Sequence, residues 1–210
     1  MNLTQSVPLP TPARSLHLGC GRLLRAMLRW LLVLLALTTL LTGSAAQAAE
    51  ITVNQASIEA SDEGYRLSVS YDFDLNRGLE DALSRGVPLY FTTEVQLTRR
   101  RWYWFDETSV SSTRTLRLSY NVLTRQYHTA ISGQLQQSFT NLDDALTLIR
   151  RPPRWIIADN NTLKAGEIYH VGLRMRLDVA LLPKPFQVNA LNNSDWRLSS
   201  DWIEFNYKPE

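Results

Sequence analysis

Apolar and polar side chains alternate with period two along several stretches of this chain. The cleanest run is Tyr65, Leu67, Val69, Tyr71, Phe73 and Leu75, with Arg66, Ser68, Ser70, Asp72 and Asp74 between them. A second is Tyr169, Val171, Leu173, Met175, Leu177, Val179 and Leu181, separated by His170, Gly172, Arg174, Arg176 and Asp178. A third is Leu116, Leu118, Tyr120 and Val122, and shorter cases lie at Phe91–Leu97, Tyr127–Ile131 and Ile203–Tyr207. Successive side chains of a strand point to opposite faces, so each run predicts a strand with one dry and one wet face. That is the pattern of antiparallel sheet. Many such strands in about 160 residues predict a mainly β fold, an antiparallel β-sandwich that is loosely immunoglobulin-like. A half-open barrel is the alternative.

Two short helices are predicted between the strands. Asn76 caps the first, Leu79, Ala82 and Leu83 form its apolar stripe, Gly86 closes it and Pro88 prevents its restart. Asn141 caps the second, whose stripe is Leu142, Ala145, Leu146 and Ile149. Asp143 and Asp144 in its first turn and Arg150 and Arg151 at its end complement the helix dipole. Pro152-Pro153 ends it. Leu182-Pro183-Lys184-Pro185-Phe186 reads as an extended, rigid connector.

The first 48 residues are of a different kind. Arg14, Arg22, Arg25 and Arg29 supply positive charge with no acidic residue among them. The apolar run Trp30 to Leu41 follows, then Thr42-Gly43-Ser44, and then the small-x-small site Ala46-Gln47-Ala48. Basic, apolar, small-x-small is the order of an export signal. A permanent anchor is the competing reading, but a spanning helix needs about 20 apolar residues and this run is shorter. A start at Met27 would leave Met27–Ala48, a signal of ordinary length. Peptides covering Ser15–Arg25 in the cellular proteome would contradict that start. Residues 49–210 are expected to be one mature domain facing the periplasm, or tethered to the inner membrane there if the leader is retained.

Removing the leader changes the charge. The full chain carries 22 Lys and Arg against 20 Asp and Glu. Four of the arginines lie in the leader and none of the acids do, so the mature part holds 18 against 20, a net −2. A nucleic-acid partner therefore loses its electrostatic support. The one cysteine, Cys20, is also in the leader. A mature part without cysteine has no disulfide, no thiol nucleophile and no thiolate-bound metal.

The most unusual stretch is Arg99-Arg100-Arg101-Trp102-Tyr103-Trp104-Phe105-Asp106-Glu107. In a strand, four consecutive aromatics cannot all face one core. Either one pair points outward to bind something, or the strand is covered on both faces. Trp, Tyr and Arg are the residues enriched at binding hot spots, so Arg99, Arg100, Arg101, Trp102 and Trp104 are the first candidates for a partner or ligand surface. Arg151, Arg154 and Trp155 form a second, cationic candidate. A dipole-matched helix end explains the same residues.

No catalytic constellation is found. His128 and His170 are the mature histidines, and both fall on the polar phase of their strands. No HExxH, GxSxG or Gly-rich phosphate loop occurs. Asp72 and Asp74 share one polar strand face and could form an acid pair, and solvated alternation explains them at least as well. No metal site and no cofactor is expected.

Several strings occur in a specific order: Val87-Pro88-Leu89-Tyr90-Phe91, Arg101-Trp102-Tyr103-Trp104-Phe105-Asp106, Leu116-Arg117-Leu118-Ser119-Tyr120, Leu123-Thr124-Arg125-Gln126-Tyr127, Leu182-Pro183-Lys184-Pro185-Phe186-Gln187, and Asp195-Trp196-Arg197-Leu198-Ser199-Ser200-Asp201-Trp202. With these the mature chain resembles a proteobacterial exported family, domain of unknown function 4390. The resemblance implies an exported protein and carries no catalytic residue with it. Members are often encoded beside a sensor histidine kinase, which implies a periplasmic accessory to signalling.

Three functions are therefore expected in order. The first is a non-catalytic protein-interaction module of the envelope, its partner another envelope protein such as the sensor's external domain. The second is a carbohydrate- or lipid-binding envelope module. The third is a hydrolase, with His128 or His170 beside a carboxylate in a cleft.

Overall fold

The computed structural model describes residues 50–99 and 107–210. In chain order the elements are β1 (Thr52–Ser61), β2 (Gly64–Asp72), α1 (Arg77–Ser84), β3 (Leu89–Arg99), β4 (Glu107–Asn121), β5 (Gln126–Ile131), β6 (Gln137–Phe139), α2 (Leu142–Arg150), β7 (Trp155–Ala158), β8 (Tyr169–Leu177), α3 (Lys184–Asn192) and β9 (Ile203–Tyr207). The strands form two sheets, ordered β1-β2-β7 and β6-β5-β4-β3-β8-β9, and every pairing within them is antiparallel. This is a mainly β, sandwich-like arrangement. The larger sheet is open, with β6 and β9 at its edges.

The period-two alternation sets the faces. On β3, Leu89, Phe91, Val95 and Leu97 are buried. Register places Phe91 beside Leu177, Val95 beside Leu173 and Leu97 beside Val171, so β8 buries the same face. Leu67, Val69 and Tyr71 of β2 face them from the smaller sheet. Two contacts join the layers: Tyr71 Oη lies 2.9 Å from Thr93 Oγ1, and the rings of Phe73 and Phe91 are 5.4 Å apart. Burying each such large apolar side chain contributes about 1.5–3 kcal/mol. Burial also pushes the Tyr71 hydroxyl well above its ordinary pKa, despite the opposing hydrogen bond with Thr93.

Both expected helices form. Asn76 Oδ1 accepts from Leu79 N at 2.9 Å, and Leu79, Ala82 and Leu83 are buried. Gly86 takes φ +86°, its N–H donates to Leu83 O and Val87 N–H donates to Ala82 O. These are the paired bonds that end a helix on a left-handed glycine. In α2, Asn141 Oδ1 accepts from Asp144 N at 2.7 Å, and Ala145, Leu146 and Ile149 are buried.

Three local expectations are corrected. The stretch expected to be an extended connector instead starts a third helix, α3, with Pro185 in its first turn. Proline is tolerated there, because the first N–H groups of a helix have no intrahelical partner. The alternation after Leu177 does not continue as strand. Asp178 Oδ1 accepts from Ala180 N, and Val179–Leu181 turns into a 3₁₀ helix. β4 ends at Asn121, whose Oδ1 accepts from both Leu123 N and Thr124 N and so turns the chain before Val122 can pair. Among the described residues no helix is long and apolar enough to cross a membrane.

Candidate functional site

The outward face of the larger sheet holds the most developed site among the described residues. Register sets Gln96 beside Gly172, Thr98 beside His170, and Gly172 beside Glu204. These residues carry the polar phase of β3, β8 and β9. With Trp202 and the backbone of Val171 they line a groove of about 460 Å³, within the range of small-molecule sites, about 300–1,000 Å³.

Trp202 lies two residues before Glu204 and continues the outward phase of β9, with an irregularity just ahead of it. Ser199 bridges Arg176, Ser200 N donates to Met175 O, and Ile203 pairs with Leu173. The register therefore gains one residue, and Asp201 and Trp202 together stand opposite Arg174 alone. A bulge of this kind shifts the phase of the strand, and Leu198 and Ser200 ahead of it are buried. Trp202 turns out over Gly172 and stays 40% exposed. A Cβ on Gly172 would lie 3.4 Å from Trp202 Cε3. That is ordinary van der Waals contact, so a side chain larger than alanine at this position would need the space the indole occupies.

A charged network holds the other side of the ring's surroundings. The Arg174 guanidinium lies 4.7 Å from the Trp202 ring centre, within cation–π range. Arg174 donates to Glu94 at 2.7 Å and Arg176 donates to the other Glu94 oxygen at 2.9 Å. Arg176 also pairs with Asp178. Burial would raise the Glu94 carboxyl, but the hydrogen bonds and attraction from Arg174 and Arg176 outweigh it and hold it below its usual value. Both guanidinium groups are thus engaged. By contrast, the side chains of Gln96, His170 and Glu204 form no hydrogen bond with any described residue. They surround an exposed aromatic ring with free donors and acceptors.

This groove was not singled out by sequence, although one signal was present. Gly172 interrupts a strand phase otherwise carrying His170, Arg174 and Arg176, and an interior strand glycine marks a close approach.

The expected site residues are placed as follows. Arg99 donates to both Glu167 and Glu107, and these hydrogen bonds raise its pKa. Arg100, Arg101, Trp102 and Trp104 lie outside the described residues. Arg154 pairs with Glu59 at 3.0 Å. Trp155 packs under Arg114, whose guanidinium carbon is 5.0 Å from the ring centre. Arg151 is exposed and lines a depression with Asn54, Asp72 and Thr147. Asp74 pairs with Arg150, and Asp72 lines the depression that Arg150 also lines. His128 Nδ1 contacts Ser138 Oγ at 2.9 Å. His170 shares its groove with Glu204, but the two are not hydrogen-bonded, and the Thr98 hydroxyl bonds the His170 carbonyl instead of its ring. Among the described residues no group of three or more His, Cys, Asp or Glu could hold a metal ion.

A second opening lies between the sheets. β5 pairs with β4 only from Leu116 onward. Before that point β4 faces β7, with no pairing between them. Arg114, 8% exposed, ties one end of this seam through a 2.7 Å bond to Pro153 O. Ser109, Val110, Ser111, Ile156, Ile157 and Ala158 line the rest.

A family model described as domain of unknown function DUF4390 matches residues 48–206. The chain belongs to the DUF4390 family. No curated protein and no solved structure matches this DUF4390 chain. Its site must therefore be read from its own chemistry.

Proposed function

We propose that this DUF4390 domain is a non-catalytic binding module of the cell envelope, exported by its leader, and that its ligand sits in the groove beside Trp202. One observation carries the reading: Gln96, His170 and Glu204, none of them hydrogen-bonded to a described residue, surround a half-exposed indole. A few convergent polar groups around an aromatic surface are the ordinary make-up of a small-ligand site. The engaged state of Arg174 and Arg176 supports a binding role, since it fixes the ring without leaving a free cation.

The test is oxidative footprinting of Trp202 in the intact envelope and after purification. Protection in the envelope that disappears on purification supports an occupied groove. Equal oxidation in both states contradicts it.

A protein partner is the second reading, favoured by the seam. Unpaired sheet edges template strand addition unless they are blunted. β1 carries a register irregularity at Val53/Gln55, and β6 is only three residues long. The four residues of β7, Trp-Ile-Ile-Ala, carry no charge and leave Ile156 exposed. An extended segment of another envelope protein, such as a sensor's external domain, would add there.

A further inference from the structure

We infer that the groove beside Trp202 binds a neutral saccharide. The inference rests on the binding role proposed above and names the ligand class.

The lining separates the alternatives by charge. A cationic ligand would want an unoccupied ring face and more than one aromatic. Here the Arg174 guanidinium already stands 4.7 Å from the centre of Trp202, the one Trp, Tyr or Phe among the described residues that line the groove. An anionic ligand would meet Glu204 at the groove wall, while Arg174 and Arg176 are spent on Glu94 and Asp178. A purely apolar ligand would strand the donors and acceptors of Gln96, His170 and Glu204, and an unmade buried hydrogen bond is costly.

A sugar meets each condition. One face of a pyranose is lined with C–H groups and packs on a flat indole. Its hydroxyls each donate and accept. Gln96 offers an amide that does both, Glu204 accepts, and His170 and the Thr98 hydroxyl complete the rim. The indole itself covers Gly172, and the part of Trp202 left exposed, 40% of the residue, is the surface on which a sugar ring packs. A shallow site with one stacking ring predicts affinity of about 1 mM, near 4 kcal/mol.

The test is an NMR titration of the full chain, expressed with its leader, against two probes. One is an oligomer of N-acetylglucosamine, as in wall glycan, and the other is an oligomer of glucose. The expected result is a saturable shift with at least one probe, centred on Gln96, Thr98, Gly172 and the Trp202 indole N–H. Which probe binds tells a wall glycan from an unmodified hexose. Trp202→Ala should weaken binding about tenfold or more. Gln96→Ala, at an exposed position, should weaken it several-fold with an unchanged melting temperature, and this variant decides if Trp202→Ala does not fold. No saturable shift with either probe, shifts centred elsewhere, or wild-type binding by both variants would overturn the inference. Footprinting protection of Trp202 without saccharide binding would remove the ligand class alone. Absence of both would remove the groove as a site.

Discussion

The indole of Trp202 rests on the backbone of Gly172, with 3.4 Å between its Cε3 and the point where a Cβ would stand. Two departures from regular strand meet here, a missing side chain on β8 and an extra residue before β9. Each alone would weaken the sheet edge. Beside them the indole stands next to Gln96, His170 and Glu204, whose side chains form no hydrogen bond with a described residue.

Gly172→Val tests that relationship. Valine suits a strand better than glycine, so the backbone gains what the ring loses. The expected outcome is a melting temperature within a few degrees of wild type and a displaced Trp202 indole N–H resonance. An unmoved resonance would show that the indole does not depend on the glycine.

The Glu94 network predicts a pH dependence. Its carboxyl titrates lower in the folded than in the unfolded state, because Arg174 and Arg176 outweigh the effect of burial. Its contribution is therefore complete above the unfolded value, about 4.3, and fades as pH falls through the folded value. Glu94→Gln should cost about 1–3 kcal/mol at neutral pH. The gap between wild type and variant in thermal melts should narrow as the solution is acidified through that window. A gap independent of pH would contradict the assignment.

Across the layers, Tyr71→Phe should cost about 1–3 kcal/mol, because it leaves the Thr93 hydroxyl buried and unpaired. Adding Thr93→Val should recover part of that loss, since both polar partners are then gone. Denaturant melts of the two single variants and the double variant give the coupling. Strict additivity would mean that the bond does not join the sheets.

The helix caps differ in a measurable way. Asn141→Ala should cost about 1 kcal/mol as an ordinary cap. Asn76→Ala should cost more, because Asn76 Nδ2 donates to Asp195 O and so ties α1 to the segment before β9, whereas Asn141 Nδ2 donates only within its own helix, to Asp144 Oδ2. Equal losses in chemical denaturation would show that this second bond contributes nothing.

Much of the fold was legible because it obeys one rule at a time. The alternation at Tyr65–Leu75 and Tyr169–Leu177 named the buried faces, and Asn76, Gly86 and Asn141 marked helix ends by side-chain chemistry. Failures came where a single side chain overrode the periodicity. Asp178 and Asn121 hydrogen-bond their own following backbone and end strands that hydrophobicity alone would extend. α3 was hidden because Pro183 and Pro185 fit a helix start as well as an extended segment. The groove was hidden for a different reason. Gln96, His170 and Trp202 are far apart in sequence and come together only through the β3–β8–β9 register. Cationic and aromatic content drew attention to Arg99 and Trp155 instead, and both are engaged in contacts within the described residues.

The most direct test of the groove as a binding site is in-cell photo-crosslinking from position 96, compared with position 63 on the exposed β1–β2 turn, in otherwise wild-type and Trp202→Ala chains. The expected result is an envelope adduct from position 96 that is absent from position 63 and lost in a folded Trp202→Ala chain. Adducts that are equal from both positions, or unaffected by loss of the indole, would contradict it.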